Sequence, residues 1–270
     1  MQNHLYRCVV LGDLHIPYQD DRVLRIVLKA VKDMAPDEVV IIGDLLNVGD
    51  YSKWKNDLQN LEWDKEVQEA KKFLKSLAKI GMVRRSVGLT PQKTVWMGGN
   101  HEGRVSRYLE KYPLAAQLIG KWNWAEQFGL DKLGIKWVPC DRFHEPMPYV
   151  PCNGKCLLTL MHGALFRKHS AFTAKGHAEL LGKSVLTGHC HRGGVYYWTS
   201  GVPGHRDLHV AAENFCLCRL DGSSESRTLI RDWHHGFSIV HIRPRDGWFH
   251  IEPVPIVDYK FVVNGRFYHG

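Results

Sequence analysis

Apolar and polar positions follow two rhythms along this chain: the first half sets short apolar runs against segments of helical period, and the second is dominated by short runs. Residues 5–11 (Leu-Tyr-Arg-Cys-Val-Val-Leu) and 39–42 (Val-Val-Ile-Ile) are apolar and rich in β-branched side chains, the pattern of strands buried on both faces of a sheet. Between them Val23, Leu24, Val27, Leu28 and Val31 recur at helical spacing, with Asp20 or Asp21 placed to cap the helix. Strand, helix and strand in close succession predict a βαβ unit with parallel strands and a right-handed crossover.

A second helix is expected over residues 62–80, where Trp63, Val67, Ala70, Phe73, Leu74 and Leu77 form one stripe and Gly81 is placed to end it. Residues 93–97 read as a third strand, and residues 105–128 as short helical pieces broken at Pro113 and Gly120. A strand at 157–161, a helix at 171–181 and a strand at 185–187 follow. Beyond them only short strands are expected, at 195–199, 215–220, 237–243, 248–253 and 261–263. An alternating half followed by a strand-rich half predicts an α/β fold of two packed sheets flanked by helices. With no repeat, linker or low-complexity tract, residues 1–270 are expected to form one domain, with 195–270 as the strand-rich second sheet.

Composition adds limits. The 270 residues are 44% hydrophobic, enough for a sizeable core. No apolar stretch approaches the roughly 18 to 20 residues of a membrane span, and the N-terminus lacks a signal-peptide pattern. A soluble cytoplasmic protein with no membrane partner is the expectation. Lys plus Arg is 36 against 28 for Asp plus Glu, a net charge of +8, which suits phosphorylated or polyanionic partners but is shared by many proteins. Seven cysteines, an odd number without an export signal, argue for reduced thiols.

Five stretches share one grammar, an apolar strand and then Asp, Asn or His, usually beside Gly: Gly12-Asp13-Leu14-His15, Gly43-Asp44, Gly99-Asn100-His101-Glu102, His162-Gly163 and Gly188-His189-Cys190-His191. Carboxylate, amide oxygen and imidazole together suit borderline divalent ions, and Gly lets the backbone turn tightly beside an ion. In Asp-x-His and His-x-His a spacing of two puts both donors on one side of an extended segment. Any one motif is weak, since a lone pair of this kind is more often surface chemistry. The set of five at strand ends is not.

In this order the motifs resemble the calcineurin-like metallophosphoesterase superfamily, over Gly12 to His191. The tail, with Asp232-Trp233-His234-His235-Gly236-Phe237 and Gly247-Trp248-Phe249-His250, resembles phage-encoded members more loosely. The resemblance implies a four-layer α/β/β/α sandwich with a dinuclear centre at the carboxyl ends of the strands. It implies that Asp13, His15, Asp44 and His191 hold one ion, that Asn100, His162, His189 and Asp44 hold the other, and that Asp44 is shared. Manganese is expected, with iron, zinc or nickel as alternatives, and a bridging hydroxide would attack the phosphorus in line. In the family the residue matching His101 sits over the phosphate and donates to the leaving oxygen, work that suits an imidazole. Glu102 could orient His101 or serve only the start of a helix, and Arg104 and Arg107 could grip phosphate or face solvent.

Protein phosphatases of this superfamily carry an Arg after Gly-Asp, whereas Gly43-Asp44 runs into Leu45-Leu46-Asn47. This favours a phosphodiesterase or nuclease acting on nucleic acid or nucleotides. A phosphomonoesterase and an inactive scaffold of the same fold are the alternatives. Should the chain be phage-encoded, it would work in the host cytoplasm. Cys140, His144, Cys152 and Cys156 are poorly spaced for zinc, and Asn153-Gly154 reads better as a hairpin turn. Cys216 and Cys218 read as a strand pair with at least one buried thiol, and Cys190 as a bystander. Lys53, Trp54, Lys55, Lys71, Lys72, Lys121, Trp122 and Trp124 could contact a nucleic acid, but packing tryptophans and solvated lysines are the better reading.

Overall fold

The computed structural model describes residues 5–51, 62–86, 90–119, 122–140, 147–202, 204–221 and 232–270. Its strands are β1 (Tyr6–Leu11), β2 (Glu38–Ile41), β3 (Lys93–Met97), β4 (Ile135–Val138), β5 (Leu158–Met161), β6 (Ser184–Thr187), β7 (Gly193–Val202), β8 (His205–Asn214), β9 (Gly236–Ile242), β10 (Phe249–Pro255), β11 (Lys260–Val263) and β12 (Arg266–His269). One sheet has the order β10-β9-β1-β2-β3-β4 and the other β5-β6-β8-β7, while β11 and β12 form a separate hairpin. Both large sheets are mixed. Strands β1 to β4 run parallel, β9 opposes β1 and β10 opposes β9; β5, β6 and β8 run parallel and β7 opposes β8.

The period of two along each strand divides the core. Cys8, Val10, Val40, Ile42, Val95 and Met97 meet Leu158, Leu160, Leu186 and Ala212 between the sheets. Val9, Leu11, Val39, Ile41 and Trp96 face the other way, against Val23, Val27 and Val31 of helix Asp21–Met34 and Leu74 and Leu77 of helix Trp63–Ser86. On the far side, Ala174 and Ala178 of helix Phe172–Leu181 cover Val185 and Ala211. The result is the expected helix, sheet, sheet, helix layering, because each strand between layers is apolar on both faces.

Local expectations fared unevenly. Asp20 is the N-cap: its Oδ1 accepts from the N–H groups of Arg22 and Val23, both at 3.0 Å. Asn153 and Gly154 sit at positive φ (56° and 81°), but with Cys152 they form a short helical turn over Pro151–Gly154 whose flanks meet only at the Tyr149–Leu160 bridge, so the expected two-residue hairpin does not form. Helices Gly103–Lys111 and Pro113–Ile119 break at Pro113 as expected, and Gly120 lies outside the described residues. Gly81 does not end its helix, which continues to Ser86 with Gly81 packed on Gln92. Strand β4, outside the expected strands, is only four residues (Ile-Lys-Trp-Val) with Ile135 alone fully buried, too short a run to mark itself by pattern. The strand expected at 215–220 is instead β8 at His205–Asn214, and 216–218 makes only isolated bridges, to His235 and Gln19. The second sheet is therefore built from residues 158–214, not 195–270, because β9 returns to pair with β1 and β10 adds to β9 in the first sheet.

Because Asp20 satisfies two otherwise orphaned helix N–H groups, Asp20→Ala is expected to destabilise the protein by about 1 kcal/mol. Urea unfolding should show a lower midpoint at unchanged slope.

Candidate metal centre

Parallel strands bring the five motifs to one edge of the two sheets: Asp13 and His15 follow β1, Asp44 follows β2, Asn100 to Glu102 follow β3, His162 follows β5, and His189 and His191 follow β6. The chain turns sharply at these ends. Asp13, His15, Asp44, His189 and His191 all adopt positive φ, between 47° and 74°, a region costly for side chains with a Cβ and typical of functional sites. Two glycines permit the crowding: Gly43 has φ 109°, and a Cβ on Gly99 would collide with Asp44 Oδ1.

The donors converge on Asp44. Its Oδ2 lies 3.1 Å from His162 Nε2, 3.7 Å from His15 Nε2 and 3.8 Å from His101 Nε2, and its Oδ1 accepts from the His101 N–H at 3.0 Å. To one side, His191 Nε2 is 3.3 Å from Asp13 Oδ1 and 3.0 Å from His15 Nε2. To the other, Asn100 Oδ1 is 2.9 Å from His162 Nε2. His189 packs on the His162 ring and belongs with Asp44 and His162 to a group able to hold an ion.

The imidazoles are oriented from behind. Nδ1 of His15 donates to Asn47 Oδ1 (3.3 Å), Nδ1 of His162 to the Ile42 carbonyl (3.0 Å) and Nδ1 of His101 to the Asn47 carbonyl (2.6 Å). Each Nε2 lone pair then points inward, the tautomer a metal ligand needs. Inward lone pairs facing Asp44 Oδ2, Asn100 Oδ1 and one another repel unless a cation or proton lies among them, so the donor set fits divalent ions.

The charges reflect this crowding. Burial alone would raise the Asp44 pKa, but His101, His162 and His15 hold it well below the carboxylate range. Burial opposes a charged His162, yet Asp44 outweighs it and lifts the pKa to about 9, whereas burial and the His162 charge push His189 down to about 4.

Glu102 goes to neither of its expected tasks. Its carboxylate accepts from the backbone N–H groups of Gly99 (2.7 Å), Leu46 (3.0 Å) and Asp44 (3.1 Å), clamping the Asp44 loop to the loop after β3. Burial and the Asp44 charge raise its pKa to about 7. Glu66 holds the next residue pair, accepting from Val48 N–H at 2.7 Å, and burial lifts its pKa to about 8. Arg104 reaches His101 Nε2 (2.8 Å) and the Asn47 carbonyl (2.9 Å), so it stands beside His101, while Arg107 donates to the Asn100 carbonyl at 2.6 Å.

Cys218 has a place the sequence did not disclose. Its Sγ lies 3.8 Å from His191 Nδ1, and Cys216 joins them in a cluster of donor atoms within 4.8 Å of one another. Burial opposes a thiolate, but the Cys216 thiol and the His191 ring bring the Cys218 pKa down to about 5. Tail residues cover this side: Trp233 packs on the His191 ring at 4.3 Å, and the His234 N–H donates to the His191 carbonyl at 2.8 Å. The only hint was the Cys-x-Cys spacing.

Two other readings resolve simply. Cys140 sits by Gly99, while Cys152 lies near Glu38 at the opposite end of the sheet, so they do not share an ion; His144 lies outside the described residues. Trp122 and Trp124 pack with Trp63, Trp96 and Phe128 as core, and Lys71 lies over Phe128; Lys53, Trp54, Lys55 and Lys121 lie outside the described residues.

Residues 6–202 match the family model for calcineurin-like phosphoesterases. The chain belongs to that family. It is 27% identical over 270 residues to the Gene 54 protein of Mycobacterium phage D29, covering 96% of this chain and 97% of that protein. The Gene 54 protein of Mycobacterium phage L5 is 28% identical over 269 residues, with the same coverage. Among solved structures, zinc-bound Vps29 of Entamoeba histolytica is 14% identical with a TM-score of 0.41, covering 95% of this chain and 96% of its own. Vps29 of Chaetomium thermophilum is 9% identical with a TM-score of 0.43, covering 94% and 87%. As a calcineurin-like phosphoesterase the protein is a metal-dependent phosphoester hydrolase. Among the described residues no helix is long and apolar enough to cross a membrane.

Glu66 has a folded pKa of about 8 against an ordinary 4.5, so the folded state retains a proton that the unfolded state loses across that interval. Metal-free protein should lose stability as pH rises from about 4.5 to 8, and Glu66→Gln should flatten that decline in pH-dependent thermal unfolding. Separately, Cys218→Ala is expected to lower metal affinity about tenfold or more by freeing the His191 ring, measured as metal retained against a chelator.

Proposed function

We propose that this phosphoesterase is a two-metal phosphodiesterase acting on nucleic acid or nucleotides in the cytoplasm of a phage host, with manganese as its resident ion. One observation carries the two-metal reading: Asp44 Oδ2 lies within 3.8 Å of imidazole nitrogens from three separate loops, between an Asp13-His15-His191 group and an Asp44-His162-His189 group. Asp13, His15, Asp44 and His191 would hold one ion, and Asp44, Asn100, His162 and His189 the other. Two such ions, when bound, neutralise the phosphoryl oxygens and lower the pKa of water at the site.

The protein's own groups do the rest. Asp44, fixed by Glu102 through the backbone, keeps both halves of the centre in register. His101 is held by its own N–H to Asp44 Oδ1 and by Nδ1 to the Asn47 carbonyl, so its Nε2 lone pair faces the centre beside Arg104; it serves the leaving oxygen as an acid only after taking up a second proton there in place of the Arg104 bond. Arg104, donating to that Nε2, supplies positive charge where negative charge develops. Preference for diesters is supported by the absence of an Arg after Gly43-Asp44 and by the net charge of +8. The phage relatives support the setting.

With manganese added, bis-p-nitrophenyl phosphate should be hydrolysed in preference to p-nitrophenyl phosphate. Exclusive monoester turnover would make the protein a phosphomonoesterase, and no turnover of either with metal bound would make it a scaffold. Asp44→Ala should abolish turnover, and His101→Ala should lower it by about 10²-fold or more while metal content stays near that of the parent. Equal metal loss in both variants would contradict the separate roles.

A further inference from the structure

A continuous row of rings leaves the metal centre along the outer face of the second sheet. It passes from His169 to Phe172 (centroids 5.7 Å apart), to Tyr196 (5.9 Å), to Trp198 (6.1 Å) and to His209, which stacks on Trp198 at 4.9 Å and 18°. We propose that this row is a stacking platform for single-stranded nucleic acid, feeding a phosphodiester to the metal centre. The proposal rests on the diesterase reading and adds the form of the substrate and the path it takes.

Topology gives the row its direction. His162 closes β5, and residues 163–171 connect it to helix Phe172–Leu181. That connection is tied to the metal centre by Arg192, next to His191, which donates to the carbonyls of Arg167 and Lys168, both at 2.7 Å. Strand β7 starts at Gly193 beside the centre and runs away from it, so Trp198 lies farther out than Tyr196, and His209 sits level with Trp198 on the neighbouring strand β8. Only Tyr196 and Trp198 stand on the edge strand; the ring pairs meet edge-on or tilted apart from the Trp198–His209 stack, and a base can stack on a face that the row leaves open regardless of sequence.

Exposure and charge fit the same ligand. Phe172 is 45% exposed, and Tyr196, Trp198 and His209 are half-buried, with Tyr196 and Trp198 packed against the alanines of helix Phe172–Leu181. Lys175 lies over the rings of Tyr196 (5.0 Å) and Phe172 (5.7 Å), and Arg167 and Lys168 are exposed at the end of the row nearest the centre. The acids nearby are Glu179, paired with Lys175 at 3.4 Å, and Asp207 at the outer end. By contrast, a cavity of about 1180 Å³ lined by Trp233 and His234 carries four aspartates (Asp20, Asp21, Asp221, Asp258) against two arginines (Arg22, Arg219), a lining less suited to a phosphate backbone. The basic, ring-lined side is the one open to a polyanion.

The test is an anisotropy titration of the full chain with fluorescein-labelled oligothymidylate, oligouridylate and a duplex of equal length. EDTA prevents hydrolysis and removes any contribution from bound metal. Single strands should bind more tightly than the duplex. Trp198→Leu, which keeps apolar volume but removes the π-face, should raise Kd about tenfold, and Trp198→Phe should recover most of the loss. Lys175→Gln should reduce the salt slope by about one. Phe267→Ala, on the separate β11–β12 hairpin, should leave Kd unchanged. Should Trp198→Leu fail to fold, Phe172→Leu at the exposed end carries the same expectation.

Equal Kd for the parent and the folded Leu variants, equal affinity for duplex and single strand, or no binding of any probe would overturn the platform. Hydrolysis of bis-p-nitrophenyl phosphate, measured alongside, separates the two readings. A protein that hydrolyses it yet binds no single strand loses the platform and remains a diesterase. One that binds single strands through the rings but hydrolyses no diester keeps the platform and loses the catalytic reading.

Discussion

The structure is organised by a repulsion. Asp44 Oδ2 sits among imidazole nitrogens whose protons have been directed outward, to Asn47 and to the Ile42 carbonyl, so lone pairs face lone pairs at the carboxyl edge of both sheets. Such a cluster is tolerable only around positive charge, and the surrounding protein is built to keep the donors from relaxing apart. Five residues at positive φ mark how far the backbone is bent to achieve this.

What opposes relaxation is a set of buried polar side chains bonded to main chain. Glu102 takes three backbone N–H groups, from Gly99, Asp44 and Leu46, and thereby ties two strand ends into one rigid unit. Glu66, on helix Trp63–Ser86, accepts from the Val48 N–H and so holds the segment after Asn47 to that helix. Arg192 pins the connection after His162 through two carbonyls, and Cys218 stands behind His191. A buried carboxylate satisfied by several N–H groups is costly to displace, so these residues hold donor positions they do not themselves occupy. The same anchoring links chemistry to the outer surface, because the segment held by Arg192 leads directly into the ring row.

Much of the fold was legible because strand and helix periods are local properties. Residues 93–97 and the cap at Asp20 are examples, each specified by neighbours in the chain. Misses occurred where pairing or packing overrides the local pattern. Strand β4 forms because β3 offers it an edge, although its own four residues are too short a run to mark it by pattern. Gly81 stays inside the helix Trp63–Ser86, where a side chain would press on Gln92, so its glycine signal was not a terminator. The tail looked like the second sheet, but β9 pairs with β1, a partner some 230 residues earlier that no local signal names.

The sequence by itself determined which side chains could bind metal, since Asp, Asn and His after apolar strands are chemically suited to it and parallel strands must deliver them to one edge. It also determined the layering, through apolar runs that bury both faces. Only the tertiary structure decided what each neighbour does: that Glu102 is a clamp on backbone, that Arg104 stands at His101, that Cys218 backs His191, and that rings from two distant segments align. Those are contacts between residues far apart in the chain, set by how sheets pack and not by the residues' own propensities.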